Sequence, residues 1–371
     1  MNICLPNYSF VSAADKFDTG GQKVIGGGEV YLQDLCHLLQ KMGHETTIIQ
    51  GGSKHAEFEF EDINVIQIPS HGRYWFNLEW KAAIPKNTDY THLHDANHLF
   101  PFKQGNPTST FHGVSWDVPY YGSNHLQYMQ WWGRYKFFKT LINHAVKNSR
   151  AIVSVDTFLL RYVQSEFPNY RDNIEVIYNY ADTEKFKPKK VKKLTDKKVI
   201  LFPRNMSLNR GVYLMLAAFE KLNRDDCELW MVGSGPENHA VKAAAEKNSN
   251  IKMIGHKDHY TEMPLVYNQS DIVVIPSRGV EGTSLSCIEA MACGKPTIAT
   301  NIGGLLDIIE HGENGLLCKT NSESLKENLE LLLTDKKTAI KLGRNARNRA
   351  IEFSRKSWEA KWKIFIEKYF H

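Results

Sequence analysis

No apolar run in this chain approaches the length that spans a bilayer as a helix, so no segment is built to cross a membrane. Cysteine is scarce: six residues, at 4, 36, 227, 287, 293 and 318, lie mostly within apolar runs and never in Cys-x-x-Cys spacing. That argues against a disulfide framework or thiolate metal site, and for reduced, buried thiols. No Asp-x-Asp tripeptide of the kind that holds Mn²⁺ or Mg²⁺ occurs, and neither a short-period repeat nor a low-complexity tract is present. Excess charge is small as well. Lys and Arg number 46 against 41 Asp and Glu, a net +5 that suits an anionic ligand or surface but falls far short of a nucleic-acid footprint. Met1-Asn-Ile-Cys-Leu5 opens a strand at once, with no basic leader. The expected compartment is the cytoplasm, with peripheral contact at a membrane as an added option.

What is present fits a soluble enzyme of two cores. A chain of 371 residues, 42% hydrophobic and 23% charged, exceeds one ordinary core and predicts two domains. Short β-rich runs at 46–50, 63–68, 91–93, 109–111, 151–155 and 174–178 alternate with helix-length amphipathic segments. A second series follows at 199–202, 228–232, 251–254, 271–275 and 297–300. The alternation predicts doubly wound α/β folding, twice. Between the series, Asn179 to Lys193 is polar and basic, and seven lysines fall between 187 and 198. This segment fits a solvated linker with the domain boundary near 185; contact with anionic lipid is the alternative. The last segment, Ser354 to Phe370, carries Trp358, Trp362, Phe365, Ile366 and Tyr369 at helical spacing and must bury an apolar stripe.

The densest motif is Pro276-Ser-Arg-Gly-Val-Glu-Gly-Thr-Ser-Leu-Ser-Cys-Ile-Glu-Ala-Met-Ala-Cys-Gly-Lys-Pro296, in which seven residues separate Glu281 from Glu289. Glu281 follows a strand-like run and Glu289 lies two turns into a helix-like run, so both can face one ligand. The bland alternative is a helix N-terminus complemented by Glu281 and a solvated Glu289. This block, continued by Ala299-Thr-Asn-Ile-Gly-Gly304 and Glu310-His-Gly-Glu-Asn-Gly-Leu-Leu317, resembles the group 1 glycosyltransferases (glycosyltransferase family 4). Their signature is such a glutamate pair followed by Ala-Met-Ala-x-Gly-x-Pro. The resemblance covers essentially the whole chain. It implies the GT-B fold, two Rossmann-like domains facing across a cleft, with the C-terminal helix crossing back onto the first. The acceptor-side domain would be 1–184 plus 354–371, and the nucleotide-sugar domain 185–353.

Ligands of open α/β sheets bind at strand carboxyl ends, and the remaining motifs fall there. Gly26-Gly-Gly28 leads into a helix-like run, where backbone N–H groups can approach an anion; the resemblance places donor phosphate there. The glycine spacing of a dinucleotide fingerprint is not met. Arg204 and Arg210 can pinch a diphosphate with forked donors, although the family has a lysine at the place of Arg210. Gly233-Ser-Gly-Pro-Glu237 suits backbone approach to a nucleotide or a plain tight turn. Gly255-His256-Lys257 resembles the segment whose backbone reads the base edge. By the same resemblance Glu289 grips the ribose, while Glu281, Gly282, Thr283, Ser284 and Leu285 hold the donor sugar. His112, in Ser109-Thr-Phe-His-Gly113, matches the histidine beside the transferred sugar, a hydrogen-bonding group and not a nucleophile.

Two further clusters stand out. Trp116, Tyr120, Tyr121, Tyr128, Trp131, Trp132 and Tyr135 could form an acceptor lid, core, or a membrane-dipping surface. His92-Leu-His-Asp-Ala-Asn-His98 could ligate zinc and make the chain a hydrolase, but that reading leaves the Glu281 block unexplained. The expectation is therefore a retaining, metal-independent hexosyltransferase without a cofactor. Its donor would be a UDP-, GDP- or other nucleoside-diphosphate sugar, its acceptor a hydroxyl of a glycan or lipid-linked saccharide, with no nucleic-acid partner. The alternatives are a GT-B sugar-nucleotide epimerase, a zinc hydrolase, or a silent binding module.

Overall fold

The computed structural model describes residues 1–11, 27–101, 106–113, 125–279 and 281–370. They form two compact units: 1–113 and 125–177 with 359–370, and 178–358.

The first unit is built on strands β1 (Asn2–Pro6), β2 (Glu45–Gly52), β3 (Ala56–Phe60), β4 (Ile63–Pro69), β5 (Tyr90–Leu93), β6 (Thr108–Phe111), β7 (Ala151–Ser154) and β8 (Ile174–Val176). Their spatial order is β3-β4-β2-β1-β5-β6-β7-β8, and every pair is parallel except β3 with β4. Parallel strands covered by helices on both faces read as continuous apolar runs. β7 is such a strand, buried at all four positions. The chain grows outward from β1 through β2 to β4, then returns to β1's other side with β5. A crevice therefore opens at the carboxyl ends of β1 and β5, where the winding reverses.

Edge strand β3 escaped the periodicity reading. Its Ala-Glu-Phe-Glu-Phe alternation is half-exposed, and it turns into β4 through Glu61-Asp62 with φ of 47° and 63°, a two-residue hairpin geometry usually signalled by Asn-Gly. Tertiary bonds hold this turn: Gln40 Nε2 donates to the Asp62 carbonyl and Gln33 Nε2 to the Glu61 carboxylate. Residues 359–370 complete the unit. Trp362, Phe365, Ile366 and Tyr369 are buried as the helical stripe requires, and Trp362 Nε1 donates to Tyr31 Oη at 2.8 Å.

The second unit carries β9 (Lys198–Pro203), β10 (Cys227–Val232), β11 (Ile251–Gly255), β12 (Ile272–Ile275), β13 (Thr297–Thr300) and β14 (Leu316–Cys318), all parallel, in the order β11-β10-β9-β12-β13-β14. Alternate residues of β9 enter opposite cores. Val199 and Leu201 pack with Ile288, Met291 and Ala346, whereas Ile200 and Phe202 pack with Met215, Phe219 and Leu329. Helices Val212–Leu222 and Ser322–Thr334 thus cover one face, and Leu285–Ala292 and Lys336–Ala350 the other. The winding reverses between β9 and β12.

The basic segment after Ile177 is packed onto this unit. Phe186 is fully buried, Lys189 N–H donates to Asn268 Oδ1 at 2.8 Å, and Arg347 Nη1 donates to the carbonyls of Thr183 and Phe186. Among the described residues no helix is long and apolar enough to cross a membrane.

Candidate active site

β9 and β12 are neighbours in space with two strands between them in sequence, so the loops leaving them meet at the winding reversal of the second sheet. Arg204 leaves β9 and is buried; Arg210 follows in a short turn closed by Gly211. Gly211 has φ of 81°, and a Cβ there would overlap the Pro276 carbonyl oxygen, so only glycine lets this turn lie against the loop after β12. Arg278 N–H donates to the Asn209 carbonyl at 2.8 Å, tying the loops a second time. On the other side, Gly233 comes so near Arg204 that a Cβ would overlap its carbonyl, and Met206 N–H bonds the Ser234 carbonyl at 3.0 Å.

Glu281 is the point of convergence. Its Oε2 accepts from Arg204 Nη2 and from Ser277 Oγ, each at 2.7 Å, and from Arg210 Nη1. Burial alone would raise the Glu281 carboxyl, but the two guanidiniums and the Ser277 hydroxyl hold it below the ordinary carboxylate value. Arg210 is lowered, foremost by the like charge of Arg204 and then by burial, against the pull of Glu281. Among the described residues one carboxylate therefore faces two guanidiniums, an excess of positive charge.

The next loop supplies backbone. Arg204 Nη1 donates to Ser284 Oγ, the residue that opens helix Leu285–Ala292, whose first-turn N–H groups have no partner within the helix. Thr283 is held from behind: Asn179 N–H donates to its Oγ1 at 2.8 Å and Asn179 Nδ2 to its carbonyl at 2.7 Å. Gly304 N–H donates to the Glu281 carbonyl at 2.9 Å, and Cβ atoms on Gly303 or Gly304 would overlap the backbone of Glu281 or Gly282. Glu289, two turns along the helix, is buried in separate company. Tyr267 Oη donates to its Oε2 at 2.8 Å, and His259 Nε2 lies 3.6 Å from its Oε1. Burial raises this carboxyl despite the opposing His259 charge and Tyr267 hydroxyl. His256, in the segment whose backbone the resemblance assigns to the base edge, has an exposed side chain; the ring that lies near Glu289 is that of His259.

In the first unit the histidines gather where β5 and β6 end. His94 Nε2–H donates to the Gly28 carbonyl at 2.8 Å, at the start of helix Gly27–Lys41, and its ring lies 4.3 Å from that of His112. Tyr31 meets His112 edge-on at 5.1 Å. His94 Nδ1 and His112 Nε2 are both buried without a hydrogen-bond partner among the described residues. Burial pushes His112 down to about 4, with Asp95 opposing, and His94 well below its ordinary value. Both rings are therefore neutral acceptors at physiological pH.

The neighbouring histidines are otherwise engaged. His92 bonds Thr108 Oγ1 at 2.8 Å and Thr110 Oγ1 at 3.0 Å, and His98 pairs with Asn77 Oδ1 at 2.6 Å and takes the Tyr8 N–H at 3.3 Å. Asp95 is paired with Arg73. Among the described residues no three His, Cys, Asp or Glu side chains converge as metal ligands. Gly27 and Gly28 open the first helix in exposed positions, while Gly26, Trp116, Tyr120 and Tyr121 lie outside the described residues. Ser277, Tyr267 and His259 are additions to the sequence reading. Ser277 had a local signal, standing four residues before Glu281; Tyr267 and His259 had none, since their side chains reach Glu289 only through folding.

A family model described as glycosyl transferases group 1 matches residues 183–349, and one described as glycosyltransferase family 4 matches 25–185. The chain belongs to the group 1 glycosyltransferases. An uncharacterized glycosyltransferase of Methanocaldococcus jannaschii is 32% identical over 231 residues, a match spanning 61% of this chain and only 60% of that one. The N-acetyl-alpha-D-glucosaminyl L-malate synthase of Bacillus anthracis is 24% identical across 88% of this chain and 90% of its own length. In fold, this glycosyltransferase superposes on sucrose-phosphate synthase from Thermosynechococcus elongatus with a TM-score of 0.81 at 18% identity, covering 100% and 99% of the two chains. It superposes on Anabaena HepE, solved in complex with UDP-glucose, at 0.71 and 16% identity, covering 99% and 100%. The fold is GT-B, and the activity is glycosyl transfer.

Proposed function

We propose that the protein is a retaining, metal-independent hexosyltransferase that takes its sugar from a nucleoside diphosphate. The observation that carries this is the imbalance at Glu281: two guanidiniums share one carboxylate oxygen, and Arg210 is destabilised chiefly by Arg204. A diphosphate supplies the missing negative charge, and forked donors plus a helix N-terminus are the groups that hold it. They also stabilise the charge that develops as the anomeric C–O bond to the diphosphate breaks, the task a divalent cation performs in other sites. The UDP-glucose seen in HepE supports a uridine donor as the first to test.

Glu281, depressed in pKa and accepting three hydrogen bonds at one oxygen, is a weak nucleophile and a weak base. Its role in this reading is to orient Arg204 and Arg210 and the donor sugar. Retention then proceeds by acceptor attack on the face the diphosphate leaves, with the acceptor proton passing to the departing phosphate oxygen. Glu289 receives the ribose hydroxyls in place of Tyr267 and His259 contacts. His112, neutral, accepts a hydrogen bond from a hydroxyl of the sugar or of the glycan or lipid-linked acceptor. Six free, buried cysteines suit a reducing compartment, which supports a cytoplasmic location in this reading.

Thermal-shift titration with UDP-, GDP-, ADP- and dTDP-sugars, each with and without Mg²⁺, tests the reading, because a ligand of the native state raises apparent stability. One base class should stabilise the protein equally in both conditions, and chelator should leave turnover intact. No shift from any donor, or a shift only with metal, refutes it.

A further inference from the structure

We infer that the helix His125–Asn148 is a docking surface for an anionic lipid bilayer. Its fully buried residues, Leu141, Ile142, Ala145 and Val146, lie in the second half, and Tyr135 and Phe138 pack against the same core, whereas from 125 to 137 every position but Trp131 and Tyr135 is exposed. On this projecting part the apolar residues face solvent. Leu126 is 68% exposed, Met129 46%, Trp132 44% and Phe137 43%. Scattered apolar residues on a surface need no explanation, but four on three turns of one helix do.

Charge selects the occupant. The 24 residues hold Arg134, Lys136, Lys139 and Lys147 and no acid at all. The cations lie over the rings: Lys136 Nζ is 5.5 Å from the Trp132 centroid and the Arg134 guanidinium 5.4 Å from that of Phe138. Rings that bury in the acyl boundary beside cations that stay with phosphates are the composition of an interfacial helix. Leu126, Met129, Gly133, Lys136, Phe137, Thr140, His144 and Lys147 recur at intervals of three and four, so the apolar patch and the later cations share one face. At its far end an open pocket of about 550 Å³, lined by Thr140, Asn143, His144, Lys147, Asn148 and Tyr170, offers polar donors that suit a headgroup. A second copy of this chain is the weaker match, because two such faces would bring four lysines, Lys136 and Lys147 from each, together with no carboxylate from either helix.

This inference stands apart from the donor assignment. Its test is co-sedimentation of the full chain with vesicles of phosphatidylcholine alone and of phosphatidylcholine mixed with phosphatidylglycerol. The protein should pellet with the mixed vesicles only, and less so as salt is raised. Lys136→Gln and Lys147→Gln should each weaken binding about fivefold, and the double change Trp132→Ser with Phe137→Ser should abolish it. All four sites are on the surface, and an unaltered thermal midpoint confirms folding. Equal pelleting with both vesicle types, no pelleting with either, or concentration-dependent dimerisation lost in the same variants would overturn the proposal.

Discussion

Glu281 and Glu289 are two buried carboxylates eight positions apart whose pKa values move in opposite directions, and the neighbours explain why. Glu281 has two guanidiniums; Glu289 has a phenol and a partly exposed imidazole. Arg204→Met would strip a charge-assisted partner from Glu281 and leave its burial uncompensated on one side, which costs about 3 kcal/mol. Urea unfolding measures this loss, and an unchanged midpoint would mean that Arg210 and Ser277 suffice. Kinetics separates the remaining roles. Glu289→Ala should raise the donor KM with a smaller change in kcat, while His112→Ala should lower kcat more than donor affinity. If both variants alter only donor affinity, His112 is a binding residue and its assignment here is wrong.

At the scale of elements, the loops at the carboxyl ends of β9, β10 and β12 are mutually wedged through glycines. Gly211 is the tightest of these contacts, combining a left-handed φ with a carbonyl where a Cβ would stand. Gly211→Ala should therefore cost about 2 kcal/mol or more and displace Arg210, so the donor KM rises along with the loss of stability. A stable variant with unaltered KM would show that the Arg210 turn adapts freely. The elements themselves were legible to different degrees. β9 and β12 hold continuous apolar runs, and β13 is a short β-branched run of Thr-Ile-Ala-Thr; local sequence alone places all three. β14 was missed because it has three residues, and β3 because it is a half-exposed edge strand whose turn is stabilised by side chains of the first helix.

Across the whole molecule the balance of buried ionisable groups predicts acid sensitivity. In the first unit burial lowers His92 to about 3, and His98 and His112 to about 4, from an ordinary 6.5. An unfolded chain takes up those protons as pH drops below 6.5, and the folded chain does not until about 4. Stability thus falls across that window, by about 1.4 kcal/mol per pH unit for each histidine fully in the interval. Glu281, lowered when folded, adds stability above its unfolded value of 4.5 that is lost as pH falls through its folded value; Glu289, raised, has the opposite sign. Urea midpoints should decline between pH 6.5 and 4, and a flat profile would show that the histidines titrate as if solvated.

The sequence by itself determined the alternation of apolar runs and amphipathic helices, hence two doubly wound sheets, and it held the Glu281 to Pro296 block that marks the family. Those features are local, written in spacing over tens of residues. Tertiary structure decided which groups meet. Arg204 and Glu281 are 77 residues apart, Tyr267 and Glu289 22, and Tyr31 and Trp362 331. They are brought together by strand order, which depends on how two apolar faces of each sheet are covered at once, a condition no single segment encodes. The same reason hid the partners of Glu289 and left the zinc reading of the histidines open. Their hydroxyl and amide partners come from β6 and the helix Arg73–Glu79, distant in sequence and adjacent only in the folded sheet.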